Sequence, residues 1–481
     1  MRRLARGILI GVAGVGLTAC MVGPNFQPPA PPAVDRYTPS SLPAQTDSGT
    51  AAQRFVVGAP VTERWWTLFG SPRLDALEDE ALKANPDLQS AQAALKQAHE
   101  AYLVQRAAQF PTVDLGASAV AAQNSATIAP PLASNAQIYS LYTAQLNIAY
   151  VLDVFGGLRR QTEAAAAQAE NQKFLTQAVY LTLTANVANA AVQLASLDSQ
   201  MDGTEALIAA DRRALDVTRR QQQAGEASTA DIAAAEATLV QVEQLVPPLQ
   251  KQIDQERDLL ADLIGRPPSL APSDRFVVDD FQLPLDLPVS LPSDLVRQRP
   301  DIRAAEANVH AASANVGVAV AARLPSFTIA AAPGGASTEI ATLFSNGNTF
   351  WSVTGSVAQT VFDAGALRHK EAQAKAALDQ AKTQYRSTVL SGLQNTADVL
   401  QAIVDDAEAL KHAQAAEAVA TRSEHLARDG YEQGQTGILP LLNAEAADRQ
   451  AEVALAQARS ARYADTVALY QALGGGWKDK P

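Results

Sequence analysis

The chain contains itself twice, and this duplication restricts what it can fold into. Asn85-Pro86-Asp87 returns as Arg299-Pro300-Asp301, 214 positions on (300 − 86). Ala107-Ala108-Gln109-Phe110-Pro111 returns at the same displacement as Ala321-Ala322-Arg323-Leu324-Pro325. The displacement then becomes 209 (365 − 156). Gly156-Gly157-Leu158-Arg159 aligns with Gly365-Ala366-Leu367-Arg368, Gly225 with Gly434, Glu236 with Glu445 and Gly265 with Gly474. Solenoids repeat every roughly 20–50 residues, so a unit this long is a duplicated supersecondary block. Each copy must build the same partial structure, and the two copies must be pseudo-symmetric.

Within each copy the period of the apolar pattern changes. Leu74 to about Arg106 reads as a helix, with apolar or small residues at Leu74, Leu77, Ala81, Leu88, Ala91, Leu95, Ala98 and Tyr102. Its counterpart is expected to start at the N-cap pair Ser293-Asp294 and to run to about Arg323. Two strand-like segments follow. Val113, Leu115, Ala117 and Ala119 alternate with Asp114, Gly116, Ser118 and Val120, and Tyr142, Ala144, Leu146, Ile148 and Tyr150 alternate with Thr143, Gln145, Asn147 and Ala149. The second copy answers with Phe327, Ile329 and Ala331, then Trp351, Val353, Gly355 and Val357. Period two with one apolar and one polar face is a sheet signal, and loops of Asn, Ser, Ala, Gly and Pro join each pair as hairpins.

The hairpins admit two readings. A soluble sheet packed on a core shows this alternation, and a membrane barrel shows it with the apolar face turned to lipid. Strands of about ten residues suit a tilted span. Asp114, Gln145 and Asn147 suit a wet lumen, and Tyr139, Tyr142, Tyr150, Phe350 and Trp351 sit near strand ends, where interface aromatics occur. Four strands cannot close a barrel. Open edges in lipid cost several kcal/mol per unsatisfied backbone group, so several chains would have to contribute to one barrel.

After the hairpins the period becomes about 3.5. Gly157–Gln223 and Ala366–Glu432 are equal in length and free of proline. A helix this long measures about 100 Å, and its near-heptad seam (Leu378, Ala381, Tyr385, Val389, Gly392, Thr396, Leu400) is that of a coiled coil. Each should end at a glycine turn, Gly225 or Gly434. Returning helices follow over about Ser228 to Leu263 and Ile438 to Leu473, with Pro247-Pro248 interrupting the first. The fold class expected is therefore mostly α with a transmembrane β part: a long coiled-coil helical hairpin in each half plus a shared β-barrel to which each chain gives four strands. The divisions expected are a signal peptide 1–19, an N-terminal arm 20–70, a first repeat 71–265, a Pro-rich connector 266–292, a second repeat 293–477 and a tail 478–481.

The N-terminus carries Arg2, Arg3 and Arg6, then a short apolar run, then Leu17-Thr18-Ala19-Cys20. This resembles a bacterial lipobox, which implies lipid attachment at Cys20, the only cysteine. Met21 stands where an Asp would signal inner-membrane retention, so the outer membrane is favoured. Removing the three arginines takes the net charge from −12 to −15 (−12 − 3). That argues against a nucleic-acid partner, which would need a basic patch. Aromatics are only 5 %, while Ala-rich runs favour long, thin helical structure over a thick core.

The arrangement resembles the outer membrane factor family, the TolC-like efflux ducts, and among them the lipoprotein branch associated with resistance-nodulation-division pumps. The marks are Cys20, Met21-Val22-Gly23-Pro24-Asn25-Phe26, the duplicated helix–hairpin–helix–helix block, Gln298-Arg299-Pro300-Asp301, Val361-Phe362-Asp363-Ala364-Gly365 and Tyr470-Gln471-Ala472-Leu473-Gly474-Gly475-Gly476-Trp477. The resemblance implies a homotrimer with a twelve-stranded β-barrel in outer-membrane lipid and a long-helix coiled-coil α-barrel as a tunnel in the periplasm. Its tips, around Gly225 and Gly434, would dock on a periplasmic adaptor tied to an inner-membrane pump. It also implies that an Asp and a Tyr at the offsets of Asp231 and Tyr431 bond between neighbouring hairpins and close the tip. The Arg of that network is replaced by Thr436, and Pro440 and Asn443 replace an acidic ring, so Ile438, Leu439, Leu441 and Leu442 are expected to seal the tip by apolar contact.

No catalytic constellation is legible. His99, His310, His369, His412 and His425 form no pair at metal-ligand spacing, and Asp279-Asp280 and Asp405-Asp406 read as solvated charges. No enzyme activity, catalytic residue, metal or cofactor is expected. The function expected is a passive outer-membrane exit duct of a tripartite efflux pump. The alternatives are a duct for type I protein secretion and a lipid-anchored coiled-coil scaffold without a pore. Asp231 also reads simply as an acid in the first turn of a helix, complementing its dipole.

Overall fold

Each repeat opens on a helix cut in two by proline. In the computed structural model, which describes residues 21–46, 52–125, 127 and 136–476, the first strands are β1 (Gln45–Thr46) and β2 (Gln53–Val57), followed by a 3-10 turn at Trp65–Phe69. Helices α1 (Pro72–Ala84) and α2 (Pro86–Ala107) replace the single expected helix. Pro86 forces Asn85 into an extended conformation (ψ 123°). Then come β3 (Thr112–Gln123), β4 (Ile138–Leu152), α3 (Gly157–Gln223), α4 (Thr229–Glu243) and α5 (Val246–Leu263). The connector gives β5 (Asp286–Val289), and α6 (Pro292–Gln298), α7 (Pro300–Ala321), β6 (Ser326–Ala331), β7 (Gly334–Ser337), β8 (Thr349–Phe350), β9 (Val353–Ala358), α8 (Ala366–Glu432) and α9 (Ile438–Ala472) follow.

Three further expectations need correction. Ser293-Asp294 does not cap α6: Leu291 holds the N-cap without a side-chain bond, and Pro292 takes the first helical position. Trp351 lies between β8 and β9 rather than in a strand. The arm is not merely an extended linker, because β2 pairs antiparallel with β1 and parallel with β5 of the connector. The signal segment 1–19, Cys20 and Trp477 lie outside the described residues.

The chain does not divide into its repeats. Two compact units each draw on both copies. One comprises residues 30–94, 173–304 and 386–481. Its core is an aromatic cluster in which Trp65 stacks on Tyr470 at 5.3 Å, and Phe69 and Phe281 meet Tyr463 at 6.1 and 5.9 Å. Rings of this size each remove roughly 150–250 Å² from water. Arg462 is fully buried beside them and donates to Gln53 and to Thr46. The repeats fasten their returning helices by one device with different residues. Asn85 Nδ2 donates to the carbonyl of Leu263 at 3.0 Å, and Arg299 Nη1 to the carbonyl of Ala472 at 2.9 Å. Both satisfy helix-end carbonyls that would otherwise be orphaned.

The other unit comprises residues up to 29, 95–172 and 305–385. It holds the hairpins and pins the segment Met21–Phe26. Buried Arg160 donates to the carbonyl of Val22 (3.1 Å), to Asn25 Oδ1 (2.7 Å) and to Glu163 Oε2 (2.7 Å). His310 completes the clamp. Its ring stacks on Phe26 at 4.3 Å, and its Nε2 lies 3.0 Å from Glu163 Oε1.

Candidate functional site

The strand register sorts side chains onto two faces. Across β3 and β4, Val113 faces Ile148, Leu115 faces Leu146 and Ala117 faces Ala144, while Asp114 faces Asn147, Gly116 faces Gln145 and Ser118 faces Thr143. The same faces continue through β6 and β9. Phe327–Val357 and Ile329–Gly355 extend the apolar side, and Thr328–Ser356 and Ala330–Thr354 the polar one. On the polar side Gln145 donates to Asn147 at 2.7 Å. The apolar side is uncovered: Leu115 is 77 % exposed and Val357 65 %. Pro333, which has no N–H, separates β6 from β7, so the third strand is split in two. Strands β3 and β9 each pair on one side only among the described residues. Helix α3 has an apolar window long enough to cross a membrane, but 61 % of that window is buried inside the chain, so it packs on protein.

The two helix tips are built alike. At the first, the N–H of Glu226 bonds the carbonyl of Gln221 (2.8 Å), and that of Gly225 bonds Gln222 (3.0 Å). At the second, Gln435 bonds Gly430 (2.8 Å) and Gly434 bonds Tyr431 (2.9 Å). These are Schellman turns, and they need the left-handed φ of +84° at Gly225 and +70° at Gly434. Beyond the glycines the copies part. Ser228 and Asp231 form a capping box, with Asp231 Oδ2 accepting from Ser228 N (2.7 Å) and Oγ (2.8 Å). Those two bonds, the backbone one first, hold its carboxyl below the usual carboxylate range. The second tip has Gly437 and Pro440 in the equivalent places and no side-chain cap. Tyr431 is exposed, Ile438 and Leu439 are half-buried, and Leu441 and Leu442 are buried. The structure thus places Asp231 in a local cap. Its Oδ1 takes no hydrogen bond among the described residues.

The acidic pairs prove less alike than their sequence suggests. Asp279 pairs with Arg459 at 3.0 Å, and Asp405 accepts from Gln401. Asp406 instead shares a hydrogen bond with Asp465, whose pKa is pushed up to about 7, first by burial and then by that bond and by the charge of Asp406. Arg462 opposes the rise. Sequence reasoning missed this cluster. Its one trace is a charge, Arg462, on the same stripe of α9 as Thr466 and Tyr470. Among the described residues no group of three or more His, Cys, Asp or Glu side chains could hold a metal ion.

Known proteins share this organisation over their whole length. The pyoverdine export outer membrane protein OpmQ of Pseudomonas putida is 28 % identical over 488 residues, covering 99 % of each chain. The toluene efflux pump outer membrane protein TtgF of Pseudomonas putida is 29 % identical, covering 96 % of this chain and 95 % of its own. The solved outer-membrane channel OprN superposes with a TM-score of 0.82 at 29 % identity, over 95 % of this chain and all of the other. The sequence model of the outer membrane efflux protein family matches residues 77–266 and 291–475, one segment in each repeat. With a TolC-like fold of long helices and hairpin strands, the chain belongs to the outer membrane efflux protein family and serves as an outer-membrane channel of an efflux system.

Proposed function

We propose that three copies of this chain form one duct, the passive exit of a tripartite efflux pump. The observation that carries this reading is the open sheet. It is apolar and exposed on one face, polar on the other, and among the described residues open along the outer edges of β3 and β9. In lipid those edges must be paired, and a lone chain supplies no partner. Three chains with four hairpin strands each make a twelve-stranded barrel whose polar face lines the water path. The tips at Gly225 and Gly434 dock on a periplasmic adaptor of a resistance-nodulation-division pump, and Cys20 carries the lipid anchor. Asp231 Oδ1 is then free to accept from Tyr431 of a neighbouring copy, while Ile438 and Leu439 narrow the tip by apolar contact. The cargo is a small molecule, the class to which the toluene and pyoverdine of the relatives' names belong. The duct performs no chemistry, and the pump supplies the energy.

Native mass measurement of the detergent-purified protein, with conductance in planar bilayers, tests the proposal. The expected result is a trimer that conducts ions in discrete steps. A monomer that stays inserted in the membrane, or a trimer with no conductance, overturns it.

A further inference from the structure

The arm strands β1 and β2 are fastened to the returning helix α9 through one charged side chain. Arg462 is fully buried, and its Nη2 donates to Gln53 Oε1 of β2 and, at 3.3 Å, to Thr46 Oγ1 of β1. Both partners are buried too. The duplication shows that helix packing does not require a charge here. Shifted back by 209 positions, Arg462 becomes Ile253 and Asp406 becomes Leu197, both buried. A buried ion in those places carries a desolvation cost that isoleucine and leucine avoid. The charges of the second repeat therefore serve something other than packing.

The guanidinium is only partly used. Its Nε and Nη1 are buried and reach no acceptor among the described residues, and Asp465 Oδ2, also buried, receives no donor. Arg462 and Asp465 stand three residues apart on α9, the spacing at which helical side chains meet. They form no ion pair, because Asp465 is engaged with Asp406 of α8 by a hydrogen bond. A bond between two carboxyls needs a proton on one of them. The charges acting on Asp465 are those of Asp406 and Arg462, while the arm meets this centre with the neutral Gln53 and Thr46. Burial first, then the bond to Asp406 and its charge, push Asp465 up to about 7. Burial lowers Arg462 only to about 10, so it stays charged as Asp465 titrates.

We propose that Arg462 latches the arm strands to α9 while Asp465 keeps its proton, and releases them when Asp465 ionises. Loss of the proton breaks the bond to Asp406 and leaves two carboxylates beside one guanidinium. A guanidinium–carboxylate pair outweighs bonds to a neutral amide and a hydroxyl. Arg462 must swing along α9 to make that pair, and the swing draws Nη2 away from the arm. Gln53 Oε1 is then a buried acceptor without its donor, a state relieved by lifting β1 and this end of β2 into water. The far end of β2 stays paired with β5 through Val57 and Val289. The latch goes beyond the duct reading and depends on neither the trimer nor the pore.

A nitroxide spin label on β1 reads the latch with a probe that does not itself titrate. Gln45→Cys, an exposed position beside Thr46, carries the label in the detergent-purified full chain. The parent chain, whose only cysteine is Cys20, sets the background. The label should be immobilised at pH 5.5, and its mobile fraction should rise severalfold by pH 8.5 with a midpoint near the 7 of Asp465. Asp465→Asn, which cannot ionise, should keep the label immobilised at both pH values. Arg462→Met, which removes the latch, should leave it mobile at both. If Arg462→Met does not accumulate, Asp465→Asn decides alone. A label already mobile at pH 5.5, a spectrum unchanged by pH, or an equal rise in Asp465→Asn overturns the proposal. None of these results bears on whether the chain assembles into a conducting trimer, so the latch and the duct stand or fall separately.

Discussion

A hydrogen bond joins Asp465 on α9 to Asp406 on α8. Burial comes first among the causes that lift Asp465 to about 7, followed by its hydrogen bond to Asp406 and that residue's charge. A carboxyl whose folded pKa is raised binds its proton more tightly folded than unfolded. The associated stability is complete below the ordinary value of 3.8 and is lost as pH rises through about 7. The unfolding midpoint should therefore fall between pH 5 and pH 8. Asp465→Asn keeps an N–H donor for Asp406 without a second charge, and should flatten that dependence. The expected gain at pH 8 is about 1–2 kcal/mol, since partial exposure screens the pair. Thermal unfolding followed by circular dichroism at the two pH values measures it, and an unchanged pH slope in the variant removes the pair as its cause. Beyond the charge of Arg462 on an otherwise uncharged stripe, nothing in the sequence marks this partnership. Asp405-Asp406 sits in a helix of mixed polarity, and only the register of α8 against α9 decides which of the two meets Asp465. Glu78 is hidden for the same reason. Buried on α1, its carboxyl is pushed well above the usual carboxylate range, first by burial and then by neighbouring Asp75 and Asp79.

Four glycines end helices in the same hydrogen-bond pattern, yet their surroundings set different costs for a side chain. Gly225 and Gly434 stand at the open tips, where an added Cβ meets nothing within 4 Å. Gly265 and Gly474 end the returning helices, where a Cβ would come within 2.5 Å of the carbonyl oxygen of Ala84 and 2.7 Å of that of Gln298. Alanine at either tip should cost only the left-handed strain of about 1–2 kcal/mol. Alanine at Gly265 or Gly474 adds a backbone collision and should sharply lower the yield of folded protein. Expression level and unfolding midpoint of the four single variants check this, and equal losses at all four would refute it. All four glycines were legible, because each interrupts a helical pattern and recurs 209 positions on. The long helices were legible for the same reason: an unbroken seam without proline fixed α3 and α8. What escaped were features that depend on distant partners or on one residue's geometry. The cuts before Pro86 and Pro300 fall inside a good apolar period. Strands β1 and β2 carry no clear alternation and exist because β5, over 200 residues away, offers an edge.

At the scale of the molecule, the repeats do not behave as domains. Each unit takes equivalent pieces from both copies, so pseudo-symmetric elements pack with one another and neither copy holds a core of its own. The hairpin sheet shows what such a partial structure leaves unsatisfied: exposed faces of opposite character and, among the described residues, open edges at β3 and β9. A soluble scaffold would leave that apolar face in water, where patches of this kind mark an interaction surface. A membrane barrel turns it to lipid and the polar face to water. Two adjacent residues of β3 separate these cases. Ala117 lies mid-strand on the apolar face opposite Ala144, and Ser118 on the polar face opposite Thr143. Both are exposed, so arginine at either would be tolerated by a scaffold in water. In a barrel, Ala117→Arg places a cation in lipid at roughly 2–4 kcal/mol per copy near the midplane, repeated in each of three copies. Ser118→Arg places it in the lumen at little cost. The expected outcome is that Ala117→Arg abolishes heat-resistant trimers in the outer membrane, while Ser118→Arg assembles normally and shifts ion selectivity towards anions. Normal assembly of both variants would remove lipid from the apolar face, and with it the need for three chains to close the sheet.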